Sequence, residues 1–398
     1  MQRIAPYKTL DIFRGYAALW VVMVHSCDRW LGGVDPKYSR VPLYAFSLRG
    51  QLGVMIFFAI SGYCITAAAY GALVTRKSIW RYSYERIRRI YPPYLVTVVL
   101  TVISLAAIGV ANAHHWIPPV NHPHVLQPDP RFWIGNLLLL QMELNTPMLN
   151  VVFWSLCYEI AFYLIIGIFI VGAQALAAKR GLTAGAYVLV NAFGISTALG
   201  LIWLIFDRSS DPSHIFPMDL WHQFALGGLL FFLLEWKPET VQGFTKSLRW
   251  TVIANFAVAV ALTMVYIAMK HTGGEDDGHP SNQLRSLTCL IFLAILIVLR
   301  KYDDKVSENV VLRPLMWIGA FSYSLYLIHP IILPYLDILC RKVGLNGPLY
   351  WIAFWIQVGV SVVAGRIFFL LVERWFISKR QVQRLVAEHV SLAAEPVS

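Results

Sequence analysis

The stretch Leu10–Cys27, LDIFRGYAALWVVMVHSC, decides the fold. It is long and apolar enough to cross a bilayer as a helix, yet it carries Arg14 and His25. An ionisable side chain inside a spanning helix is costly, so it marks a functional site unless it serves a structural pair. At about 100° per residue the two groups return to nearly the same face, roughly 16 Å apart along the axis. One helix face therefore offers a fixed cation near one end and a titratable imidazole near the other.

The rest of the chain agrees with a membrane reading. Of 398 residues, 58% are hydrophobic and only 14% are charged, far less charge than a soluble domain of this length carries. The expected class is an all-α polytopic membrane protein. The net charge of +11 is read as the bias of cytoplasmic loops towards Lys and Arg, with no nucleic-acid partner. No cleavable signal pattern precedes the first segment. The cysteines Cys27, Cys64, Cys157, Cys289 and Cys340 are scattered, with neither metal spacing nor a disulfide framework.

Spanning segments are expected near 9–28, 50–73, 93–113, 151–173, 184–206, 218–236, 250–269, 282–300, 314–338 and 348–372. The apolar piece 132–144 is too short to span and reads as re-entrant or interfacial. About ten transmembrane helices then surround a central cavity, with both termini on one side. Charge supports that count. With the N-terminus inside, the inner loops collect the run Arg76 to Arg89, Lys179, Arg180, Lys246, Arg300, Lys301 and the tail arginines, whereas the outer loops are sparse in Lys and Arg. Counting 132–144 as a span would reverse the bias from Lys179 onwards. The expected organisation is a membrane domain over 1–378 and a short cytoplasmic tail over 379–398. The outer loop carrying His114, His115, His122 and His124 has no tetrahedral ligand spacing, and no metal is assigned. The 270–281 loop reads as a solvated turn.

Orientation gives depth. Counted by helix rise, His25 lies about 24 Å in from the inner end of its helix and Glu159 about 12 Å below the outer surface. His329, in SYSLYLIHP, also lands in the outer half. A buried carboxylate needs a partner, and a His–Glu pair is a general-base arrangement; the alternative is a structural interhelical hydrogen bond. Ser61, in FFAISGYCIT, is either a nucleophile or a small-residue packing site. Cys157 is either an acyl-accepting thiol or an inert buried hydrophobe. The basic run RKSIWRYSYERIRRIYPPY interleaves Arg81, Arg86, Arg88 and Arg89 with Trp80, Tyr82, Tyr84 and Tyr91. It suits anionic lipid headgroups and equally the phosphates of a cytosolic donor.

These stretches together resemble the membrane-bound acyltransferase 3 family, the O-acetylating enzymes of bacterial surface polysaccharides. The matching pieces, in family order, are LDIFRGYAALWVVMVH with Arg14 and His25, FFAISGY, RRIYPPY, FWSLCYEIAFY and SYSLYLIHP. Around the acid the family favours a Ser-x-Glu-Glu pattern, where this chain has Leu-Cys-Tyr-Glu. The chain looks like the form without an extra-cytoplasmic SGNH-type hydrolase domain, similar to exopolysaccharide-modifying members. The resemblance implies transfer of an acyl group, most often acetyl, from cytosolic acyl-CoA (acetyl-CoA) to a glycan hydroxyl across a bacterial inner membrane, with both termini cytoplasmic. It assigns His25 as base and Glu159 as its orienter. Arg14, Arg86, Arg88 and Arg89 become the donor-binding residues, and Ser61, Tyr63, Trp154 and His329 the substrate-binding ones. The span from Arg14 to His25, roughly 16 Å, is comparable to an extended pantetheine arm. Glycan-assembly proteins or a second copy are possible partners. Two other readings are a proton-coupled transporter or exporter, since intramembrane His and Glu also mark ion pathways, and a membrane subunit that passes acyl groups to a separate transferase.

Overall fold

The computed structural model describes residues 7–27, 41–117, 126, 129–207, 216–236, 245–269, 281–345 and 349–377. His122, His124, most of the 270–281 loop and the expected tail over 379–398 lie outside the described residues. The described residues are mostly helical and include no strand: α1 (Thr9–Cys27), α2 (Pro42–Leu48), α3 (Gly53–Val74), α4 (Ile79–Ala113), α5 (Pro130–Leu138), α6 (Phe153–Arg180), α7 (Leu182–Phe206), α8 (Met218–Glu235), α9 (Lys246–Met269), α10 (Asn282–Leu299), α11 (Asp303–Ser307), α12 (Arg313–Gly319), α13 (Ser322–Lys342) and α14 (Tyr350–Leu371). Helices satisfy their own backbone groups, which hydrocarbon requires. Among the described residues, eight are long and apolar enough to cross a membrane. The other two expected segments are α1 and α8. Asp11, Arg14 and His25 make α1 more polar, as Asp219, His222, Gln223 and Glu235 do α8. Both are inner helices: every residue of α8 from Asp219 to Phe232 is buried. The chain is an all-α polytopic membrane protein.

Glycines set the closest helix contacts. A Cβ on Gly62 of α3 would lie 1.9 Å from the Phe224 carbonyl oxygen of α8, and one on Gly227 would lie 2.0 Å from that of Ala59. The two helices therefore meet backbone to backbone, the close approach that small residues permit. Gly15 of α1 and Gly319 of α12 repeat the device: a Cβ on either would lie 1.8 Å from a carbonyl oxygen of the other helix, that of Leu315 and of Asp11 respectively.

We call the end where α1 starts the near end and the other the far end. At the near end, Tyr7 donates to the Leu296 carbonyl (2.7 Å). Asp303 accepts from the backbone N–H and the hydroxyl of Thr9 (2.8 and 2.7 Å). Arg300 forks onto Glu235 (2.6 and 3.0 Å), which also accepts from Tyr63 (2.6 Å). At the far end, Tyr350 donates to the Ser26 carbonyl (2.7 Å) and Tyr335 to the Ser104 hydroxyl (2.9 Å).

Two segments depart from expectation. The span expected at 93–113 is the far part of α4, which starts at Ile79 and runs through Pro92 and Pro93. At 35 residues it is about 52 Å long, so its basic first third continues the spanning helix as one rod. The Tyr323 hydroxyl donates to the Ile90 carbonyl beside the proline pair (2.9 Å). The segment expected at 314–338 is broken between α12 and α13, which lets Gly319 seat against α1. The 132–144 piece forms α5, nine residues long and too short to cross. Asp129 caps its start, and Leu139 in the left-handed conformation (φ 59°) ends it.

Candidate active site

A cavity of about 810 Å³, its open mouth included, lies between α1, α3, α4, α6 and α13. Helical periodicity selects its lining. On α3 the stripe Val54, Phe57, Phe58, Ser61, Cys64 and Ile65 follows the three- and four-residue steps of one face. Arg86, Arg89 and Ile90 of α4 do the same, as do Ser155, Leu156, Glu159 and Tyr163 of α6. Arg14 comes from α1, and Ser322, Tyr323 and Tyr326 come from α13.

Charge in the cavity is mainly positive. Arg14 is held by Asp11 (2.6 Å) and by the Cys64 sulfur (3.1 Å). Arg86 stacks over the Tyr82 ring at 5.7 Å, and its buried Nε has no hydrogen-bond acceptor among the described residues. Glu159 accepts from Ser61 (3.4 Å) and from the Tyr163 hydroxyl. A guanidinium Nε without an acceptor, in a cavity rich in arginine, suits a bound anion such as a phosphate.

His25 is elsewhere. It sits half-buried near the far end of α1, with Nδ1 2.9 Å from the Val21 carbonyl oxygen and 3.1 Å from Nε2 of the fully buried His329. The expected pairing of His25 with Glu159 is not formed. Ser155 and Tyr326 stand at one level, their hydroxyls 2.7 Å apart. From that level α6 runs four residues towards the near end to Glu159, while α13 runs three towards the far end to His329. Seven residues of rise separate the two groups by about 10 Å. The depth count missed this because it started each helix at a hydropathy boundary. The Ser155–Tyr326 contact now bridges the top of the cavity to the level of the histidine pair.

Five other residues singled out in the sequence are placed apart from the cavity. Arg88 donates to the Phe376 and Ile377 carbonyls (3.1 and 3.3 Å), tying α4 to the turn after α14. It sits about 100° from Arg89 around the helix, so it cannot share that face. Tyr63, about 200° from Ser61, points to Glu235 instead. Trp154 packs edge-on to Phe58 and Tyr158. Cys157 is buried, and its thiol donates to the Gln141 side-chain oxygen (2.9 Å). His114 stacks on Trp116 at 4.9 Å between ring centres. The lining residues not singled out as site residues in the sequence include Cys64, Ser155, Tyr163, Ser322, Tyr323 and Tyr326. The signal was available for two of them, since Cys64 follows Ser61 by three residues and Tyr163 follows Glu159 by four.

A family model described as an acyltransferase domain matches residues 7–371. Among curated proteins, the chain is 24% identical over 385 residues to a Staphylococcus aureus (strain COL) protein named "Putative O-acetyltransferase", covering 92% of this chain and 56% of that one. It is 24% identical over 366 residues to a Bacillus subtilis (strain 168) protein named "Putative peptidoglycan O-acetyltransferase", covering 86% and 50%. It is 24% identical over 349 residues to "O-acetyltransferase OatA" of Staphylococcus aureus (strain NCTC 8325 / PS 47), covering 81% and 50%. The chain thus spans about half the length of these relatives. No solved structure matches it.

Proposed function

The chain belongs to the acyltransferase-domain family, and from that premise we propose that it is a membrane O-acyltransferase that moves an acyl group, acetyl first of all, from cytosolic acyl-CoA to a hydroxyl of a cell-surface or exported glycan. The observation that carries this reading is the arginine-lined cavity in which Arg86 Nε has no acceptor among the described residues, topped one turn below the pair of His25 and His329. Arg86 and Arg89 hold the CoA phosphates at the near end, and Arg14 steadies the pantetheine arm. The thioester passes Ser155 and Tyr326, and His25 takes the proton from the acceptor hydroxyl as it attacks. Glu159, bonded to Ser61 and Tyr163, lines the donor's path. The positive-inside bias puts the near end and both termini in the cytoplasm, in the inner membrane of a bacterium. The relative named for peptidoglycan supports including that polymer among the acceptors.

The test is transfer of radiolabel from acetyl-CoA to exopolysaccharide or peptidoglycan fragments by the purified protein in liposomes. Label in the glycan, with an equal amount of CoA released, is the expected result. A protein that neither binds CoA nor transfers label overturns the reading.

A further inference from the structure

The carboxylate expected beside His25 lies about 10 Å away in depth, and a second imidazole stands in its place. Nδ1 of His25 is 2.9 Å from the Val21 carbonyl oxygen, and Nδ1 of His329 is 3.0 Å from that of Leu325. A carbonyl oxygen only accepts, so a ring nitrogen that bonds to it carries the proton. Each histidine is thereby assigned the same tautomer, protonated on Nδ1 with its lone pair on Nε2. Nε2 of His329 faces Nδ1 of His25 at 3.1 Å, an acceptor meeting a donor. His25 then shares its Nδ1–H between Val21 and His329, so Nε2 is the nitrogen through which it would take up a proton.

On the functional reading above, we infer that His329 is the positioning residue of the His25 base. It sets the tautomer, fixes the ring plane and accepts from the imidazolium that forms during transfer. In that step the acceptor O–H bond breaks, its proton goes to His25 Nε2, and the oxygen bonds to the acyl carbon. The carbon–sulfur bond then breaks and the CoA thiolate takes the proton back from Nε2. A neutral imidazole suits this place better than a carboxylate, because a fully buried anion would itself need a countercharge. Burial of His329 at the foot of Pro330, with the Tyr326 ring 6.0 Å away and its hydroxyl committed to Ser155, keeps the ring from turning.

The test compares wild type with H329L and H329Q in liposomes, reading kcat for acetyl transfer and Kd for acetyl-CoA. Leucine fills the space and offers no lone pair. Glutamine brings an amide oxygen near the position of Nε2. Loss of orientation in H329L is expected to lower kcat about a hundred-fold, with Kd within about two-fold of wild type and a partial return of kcat in H329Q. H329L with wild-type kcat, or H329L and H329Q impaired alike, overturns the inference. Wild type that transfers no acetyl group overturns the functional reading and this inference with it; an active wild type beside fully active variants overturns this inference alone.

Discussion

Arg86, Arg88 and Arg89 share one turn of α4 and have different duties. Arg86 and Arg89, three residues apart, line the cavity, while Arg88 bonds two backbone carbonyls of the last described turn. Charge-assisted hydrogen bonds contribute about 1.5–3 kcal/mol each, so R86A and R89A are each expected to weaken CoA binding at least ten-fold by calorimetry. R88A is expected to leave CoA affinity unchanged and to lower the melting temperature. The sequence marks the basic run, and helical geometry then separates position 88 from 86 and 89. It does not say which face meets the bundle, because that depends on α6 and α13, more than sixty residues away. The same gap explains Glu159. Its helix and approximate depth were legible, but a partner choice needs register to within a turn, and only the Ser155–Tyr326 contact supplies that.

At the scale of elements, α3 and α8 carry the tightest approach. Any side chain at Gly62 or Gly227 collides with backbone, which cannot yield as a flexible side chain does. Overpacking of this kind costs about 1–3 kcal/mol and sometimes more, so G62L is expected to cut the yield of folded, monodisperse protein on size exclusion, while G71L, where nothing lies within 4 Å, is expected to behave as wild type. The near end offers a second case. Removing Arg300 strands Glu235, which is only 9% exposed, and breaking a buried pair costs about 3–5 kcal/mol. R300A is therefore expected to lose thermal stability by a large margin, and R300A/E235Q to recover part of it. Hydropathy located these helices because most are apolar over their whole length. It did not see the break at Gly319–Phe321, since a glycine that seats one helix on another leaves no mark in an apolar run.

For the molecule as a whole, the near and far ends are defined by which loops share them, and the proposed orientation follows the bias in Lys and Arg. Lys301 is exposed at the near end and Trp116 at the far end. On intact cells, a membrane-impermeant maleimide is expected to label W116C and to spare K301C until the membrane is opened; the reverse pattern would invert the orientation. The membrane class and the all-helical fold were readable from composition and periodicity. The cavity was not, because its wall is assembled from side chains of five helices and no single segment announces them.

His25 at the far end and the arginine cavity at the near end divide the proposed work into chemistry and binding. The measurement that tests this division most directly is H25A in liposomes, with acetyl-CoA affinity and acetyl transfer read on the same preparation. Loss of a general base lowers transfer by about 10²–10⁴-fold, and acetyl-CoA affinity is expected to stay within about two-fold of wild type. H25A that transfers acetyl groups at the wild-type rate, or that loses CoA affinity while remaining folded, would contradict the account.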